Sequence, residues 1–201
     1  MNITLLDYGA GNVPSVERAL QRFGANPARA TTPESISTAE SIILPGVGHY
    51  AAIIRALDER NLRTPLLAAL DRGVPFLGIC LGLQALYESS DEAPELSGLK
   101  LFSGSIHSLP ATVKLPHMGW NQIELTRPSH LLEGISPNAY FYFAHSFAAT
   151  NANRESVAIC NHGAEFAAVI EKRNIHGVQF HPEKSGEPGS KLLKNFLTGC
   201  R

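Results

Sequence analysis

Two short stretches carry residue types that can do chemistry together. The first, Gly78-Ile79-Cys80-Leu81-Gly82, follows an apolar run and precedes the helix-forming Leu83-Gln84-Ala85-Leu86. A thiol on a sharp strand-to-helix turn, with small residues on either side, is thrown clear of the backbone as a nucleophile. The positive end of the following helix and a nearby imidazolium favour the thiolate, and the Leu81 N–H is placed to meet an oxyanion. The second stretch, Val178-Gln179-Phe180-His181-Pro182-Glu183, ends a predicted strand. Residues two apart in an extended segment point the same way, about 6.6 Å apart. That spacing lets His181 act as general base and later proton donor, with Glu183 orienting its ring. A buried packing cysteine and a solvated loop histidine are the plain alternatives for each residue alone. The pair, in the order Cys, His, Glu, is the arrangement of an acyl-transfer site.

These side chains need a frame. In the first half, apolar runs alternate with helical patterns, as in parallel strands joined by crossover helices. Strands are expected at residues 3–7, 27–30, 41–44 (breaking at Pro45-Gly46) and 75–79, with helices at 13–23, 50–59 and 64–72. Residues 88–94 read as an acidic loop. From Ala111 to Gln179 the chain turns strand-rich, with strands at 139–144, 157–160, 167–170 and 175–180 and a closing helix at 190–197. The expected fold is α/β, a single-domain mixed and largely parallel sheet flanked by helices. No repeat or linker divides it, so residues 1–201 are expected to form one domain.

Composition narrows the function classes. Lys and Arg total 17 against 18 Asp and Glu, a net charge of −1 that gives no electrostatic reason to hold nucleic acid or anionic lipid. No window reaches the 18 apolar residues of a membrane span and the first residues lack a signal-peptide pattern, so a cytoplasmic location is expected. Cys80, Cys160 and Cys200 form no CxxC pair, and the eight histidines show no HxxxH spacing, so neither a metal nor another cofactor is expected. Gly9-Ala10-Gly11-Asn12-Val13-Pro14 lacks the third glycine of a dinucleotide fingerprint. Pro45-Gly46-Val47-Gly48 is a glycine turn able to aim an amide at the thiol.

The Cys80 motif together with His181-Pro182-Glu183 resembles the class I, triad-type glutamine amidotransferases. Within that class five ordered motifs are similar to the glutaminase subunits of imidazole glycerol phosphate synthases. They are Asp7-Tyr-Gly-Ala-Gly-Asn12, Pro45-Gly-Val-Gly-His49, Pro116-His-Met-Gly-Trp-Asn121, Tyr142-Phe-Ala-His-Ser146 and His181-Pro-Glu-Lys-Ser185. The resemblance implies hydrolysis of L-glutamine through a Cys80 thioester, with ammonia delivered to a (β/α)8-barrel cyclase subunit in a heterodimer serving histidine biosynthesis. It further implies oxyanion amides from Val47 and Leu81, and a glutamine pocket lined by Gly48, Gln84, Glu92, His145, Ser146 and Phe147. Asn12, Met118, Trp120 and Lys184 fall in motifs that face the synthase partner. Phe147 stands where the family often has Tyr, and Lys100 where glycine is common. Two other readings stay open: the glutaminase partner of a different synthase, such as anthranilate or pyridoxal phosphate synthase, and a non-catalytic module that kept the fold.

Overall fold

A computed structural model describes residues 3–150 and 155–199. The order is β1 (Ile3–Leu6), α1 (Val13–Gln21), β2 (Ala28–Ala30), α2 (Pro33–Ser37), β3 (Ser41–Gly46), α3 (Tyr50–Glu59), α4 (Arg63–Asp71), β4 (Phe76–Cys80) and α5 (Leu81–Gln84). There follow β5 (Ser89–Ser90), β6 (Ser105–Ser108), β7 (His117–Gln122), β8 (Glu124–Leu125), β9 (Tyr140–His145) and β10 (Phe147–Ala148). Then come β11 (Ser156–Asn161), β12 (Glu165–Lys172), β13 (Ile175–Val178) and α6 (Gly186–Gly199).

Eight strands form one sheet in the order β2-β1-β3-β4-β13-β12-β11-β8. The first five are mutually parallel, and β12, β11 and β8 add on antiparallel. The expected mixed, largely parallel sheet is therefore what forms. Its faces are covered by two apolar clusters. Leu6, Ile42, Ile54, Leu57 and Phe76 pack on one side; Leu5, Val16, Ile43, Phe143, Phe180 and Leu193 pack on the other. Alternate residues of β1 and β3 supply opposite faces, and both faces are apolar, as a parallel strand buried on two sides requires. Among the described residues, no helix is long and apolar enough to cross a membrane.

Most expected elements fall within two residues of their positions, and the differences have physical causes. Strand β3 does not break at Pro45: it runs on to Gly46, pairing Pro45 with Ile79 and Gly46 with Cys80. Pro45 turns its backbone toward β1, which has ended by then, so no ladder partner misses its N–H. The short helix α2 was not expected; Thr32 caps it, accepting from Ser35 N, with Pro33 opening the first turn. Helix α6 begins at Gly186, four residues before the expected start. The stretch after Cys80 is a single helical turn, Leu81–Gln84, so it offers free local amides and not a long macrodipole.

The glycines around Cys80 answer to packing. A Cβ built on Gly82 would stand 2.0 Å from the Leu44 carbonyl oxygen, and one on Gly78 would stand 2.6 Å from the Gly82 carbonyl oxygen. We expect Gly82→Ala to cost at least about 3 kcal/mol in urea unfolding, because it displaces backbone from backbone. Gly24→Ala, at an open site with φ +73°, should lose only about 1–2 kcal/mol.

Candidate active site

The two sequence motifs meet because their strands are neighbours. β13 pairs with β4 in parallel register, Val178 beside Ile79. Cys80 and His181 therefore leave the carboxyl ends of adjacent strands, where open α/β sheets present their clefts. Cys80 sits at φ +53°, ψ −106°, a conformation costing a non-glycine residue on the order of 1–3 kcal/mol. Gly82, packed on the Leu44 carbonyl of β3, and Gly78, packed on the Gly82 carbonyl, hold it there.

His181 and Glu183 come together by a different route from the one expected. The strand ends at Val178, and Pro182–Lys184 form one 3-10 turn, so the two residues are not extended neighbours 6.6 Å apart. The turn folds Glu183 back until its Oε1 accepts from His181 Nδ1 at 3.0 Å. The ring also interacts with Cys80, which raises its proton affinity. Ser185 pins the turn: its hydroxyl donates to the His181 carbonyl at 2.7 Å and accepts from Tyr142 N at 2.9 Å. Burial opposes a charge on His181, but the contacts with Cys80 and Glu183 outweigh it and push its pKa up to about 10.

A cleft of about 280 Å³ opens over this group. It is lined by Cys80, His181, Val47, Leu81, Lys184 and all six expected pocket residues, Gly48, Gln84, Glu92, His145, Ser146 and Phe147. One carboxylate oxygen of Glu92 accepts from Tyr50 N at 2.7 Å, which anchors it to the first turn of α3. His145 has no nitrogen to spare for a ligand. Its Nδ1 donates to the Phe147 carbonyl at 2.9 Å, and its Nε2 accepts from His117 Nδ1 at 3.1 Å. Burial pushes the pKa of His145 down to about 3 and that of His117 down to about 4, so both rings stay neutral. His145 therefore shapes the pocket through the Phe147 backbone.

Leu81 opens its helical turn with an N–H that has no intrahelical acceptor. The Val47 N–H instead faces the buried Tyr8 hydroxyl without closing a hydrogen bond to it; burial, partly offset by that amide, pushes Tyr8 up to about 12. Of the four residues expected at the partner face, Met118 and Trp120 project from β7 and are 64% and 56% exposed. The Trp120 ring meets Tyr142 edge-on at 5.9 Å, and Lys184 Nζ lies 5.7 Å from the centre of the Tyr142 ring. Asn12 reaches inward: its Nδ2 donates to Glu183 Oε1 at 3.1 Å.

Sequence reasoning missed Gln179, His117 and Ser185 as parts of the site. Each lies inside a quoted motif, but nothing in residue type alone separates an orienting side chain from a spacer. A larger cavity, about 730 Å³ beside β8 and β11, is lined by Cys160 and by no histidine. Burial pushes that thiol up to about 12, as for a packing residue. Cys200 lies outside the described residues. Among the described residues no cluster of three metal-binding side chains occurs.

Comparison with known proteins identifies the family of the chain. The sequence profile of the family described as "Glutamine amidotransferase class-I" matches residues 4–200. Imidazole glycerol phosphate synthase subunit HisH of Moorella thermoacetica is 44% identical over 96% of this chain and 93% of its own length. The HisH subunit of Methanothermobacter thermautotrophicus is 44% identical over 97% of each chain. Among solved structures, a glutamine amidotransferase superposes with a TM-score of 0.79 at 18% identity, covering 98% of both chains. PurLQS from Thermotoga maritima superposes with a TM-score of 0.78 at 18% identity, over 100% of this chain and 99% of its counterpart. At that identity the structural likeness speaks for the fold alone, whereas the sequence matches along nearly the full length carry the assignment: the chain belongs to the class-I glutamine amidotransferases, among the HisH subunits of imidazole glycerol phosphate synthase.

Proposed function

We propose that this chain is the glutaminase subunit of imidazole glycerol phosphate synthase, a single catalytic domain over residues 1–201 that works in the cytoplasm on L-glutamine. The observation that carries the reading is the Cys80, His181 and Glu183 constellation beneath the cleft, in a chain 44% identical to HisH subunits. Relatives that serve anthranilate or pyridoxal phosphate synthases share the triad, but the full-length identity to HisH favours this one. Retention of all three residues argues against a non-catalytic module.

In the proposed reaction His181 starts as the imidazolium, which its raised pKa favours, and Cys80 as the thiolate. Sulfur attacks the side-chain amide carbon of glutamine, and the oxyanion takes the Leu81 N–H and, once turned, the Val47 N–H. His181 passes its proton to the leaving nitrogen, the C–N bond breaks, and ammonia departs from a γ-glutamyl thioester. Water then attacks, giving its proton to His181, and glutamate leaves as the C–S bond breaks. Glu183 holds the ring in the tautomer that faces sulfur and stabilises its charge. Gly48, Gln84, Glu92, His145, Ser146 and Phe147 form the walls of the glutamine pocket.

The partner is a (β/α)8-barrel cyclase subunit, docked on the face carrying Met118, Trp120 and Lys184, with Asn12 at its inner edge. An exposed Trp and Met on one strand face are the kind of anchor that interfaces use. The Val47 amide lies beside the buried Tyr8 hydroxyl, which supports a chain that idles when alone, with Leu81 the one oxyanion donor in place until that amide turns.

A glutamine analogue that alkylates thiols should label the wild-type chain at Cys80 and leave Cys80→Ala unlabelled, read by mass spectrometry. No labelling even with the cyclase present would remove the glutaminase reading. The isolated chain should hydrolyse glutamine weakly and gain at least about tenfold when the cyclase and its ligand are added. Full turnover by the chain alone would contradict the idle resting state.

Glu183→Gln should lower kcat about a hundredfold or more with little change in KM, since it disturbs the base and not the pocket. The raised His181 pKa also sets a pH window. The folded chain holds this proton above the ordinary 6.5, so the stability from the pair is fully present below about pH 6.5 and is lost as pH rises through about 10. In Cys80→Ala, burial regains weight and the imidazole should titrate lower, followed by NMR. A wild-type His181 titrating near 6.5 would show that the pair is not ionised.

A further inference from the structure

Gln179 is completely buried, two residues before His181, and has no part in the chemistry above. Its Nε2 stands 3.6 Å from Cys80 Sγ, within hydrogen-bonding reach of sulfur, and its Oε1 accepts from Gln84 Nε2 at 3.2 Å. The direction of this amide is fixed by its neighbours. Gln84 Nε2 also donates to the Phe147 carbonyl at 2.8 Å, so the Gln84 nitrogen faces two acceptors. The atom that Gln179 turns to Gln84 must then be its oxygen, which leaves its N–H₂ for the sulfur. The Phe147 carbonyl is held in turn by His145 and, behind it, by His117. Every atom that orients Gln179 is thus itself oriented.

The other close partner of the sulfur outside the triad is the Ala144 carbonyl oxygen, at 4.0 Å. That oxygen suits an S–H proton and repels an anion. An amide N–H does the reverse, and a preoriented dipole in a dry site acts without reorganisation when charge appears.

We propose that Gln179 is a second hydrogen-bond donor to the reacting sulfur, stabilising the Cys80 thiolate beside His181 and aimed by Gln84 from the pocket wall. The donor acts at the two points where sulfur carries the electron pair alone: before it attacks the amide carbon, and after water has broken the C–S bond of the thioester. This inference rests on the reading of Cys80 as the nucleophile. A carboxamide placed only to fill space would not need its nitrogen turned to the sulfur.

The test uses iodoacetamide, whose iodide is displaced by the thiolate as a C–S bond forms, on the full-length chain. Gln179→Met removes both polar atoms; Gln179→Glu keeps an acceptor for Gln84 and removes the N–H. Labelling is assigned to the peptide holding Cys80, and thermal unfolding identifies which variants are folded, so that either one can decide. Near neutral pH the variants should alkylate about tenfold more slowly than wild type, the loss of a hydrogen bond to a charged group. The deficit should close at alkaline pH, where thiolate forms without help. Glutaminase kcat should fall with KM nearly unchanged. A wild-type rate near neutrality would overturn the proposal, and so would a deficit that persists undiminished at alkaline pH, since that reports blocked access. Iodoacetamide needs no recognition of glutamine, so a failure here leaves the glutaminase reading standing. A chain that shows the expected alkylation but never hydrolyses glutamine fails that reading alone.

Discussion

The contact between the Cys80 sulfur and the His181 ring is the interaction on which the molecule's arrangement depends. Its two members are far apart in the chain and can meet only because β13 inserts beside β4 in parallel register. That insertion needs β4 in the sheet centre and a return of the chain through the antiparallel strands β11 and β12. It needs a residue at position 80 able to leave β4 in a left-handed conformation and enter a helical turn at once. The backbone strain there is small against the burial of Ile79, Leu81 and Leu83 around it, so the surrounding core keeps the turn from relaxing.

The same residue type serves opposite ends within one site. His181, His145 and His117 are all nearly sealed from solvent, yet burial wins at His117 and His145 and loses at His181. The difference lies in what each ring touches. His181 has a carboxylate on one nitrogen and interacts with Cys80. His145 has a carbonyl and a second imidazole, neither of which rewards a positive charge. Neutral rings with fixed tautomers are good struts, and a charged ring between two acidic groups is a good proton carrier.

Much of this was legible from sequence. The alternation of apolar runs and helical stripes located the central strands, because buried parallel strands and amphipathic helices leave strong periodic signals. The elbow was visible at Gly78 and Gly82, and the His181-Pro182-Glu183 trio by its order. What stayed hidden depended on tertiary contact. The run of β3 through Pro45 depends on where β1 stops. The 3-10 turn that joins His181 to Glu183 overrides a strand parity that Pro182 already made fragile. In the sequence Gln179 alternates with Val178 and Phe180 as a spacer would, and only the folded position of Cys80 gives its N–H₂ a partner.

The crowding at Gly82 carries an implication for how such motifs are read in other chains. With the Leu44 carbonyl oxygen 2.0 Å from where a methyl group would sit, this position tolerates one residue whatever the thiol does. A descendant that had abandoned chemistry but kept the sheet would still be pressed to retain both glycines, since replacing either forces backbone apart and costs stability. Persistence of the spaced glycine pair therefore records architecture, and the acid beside the imidazole, which no packing demand protects in the same way, is the sharper witness to surviving activity.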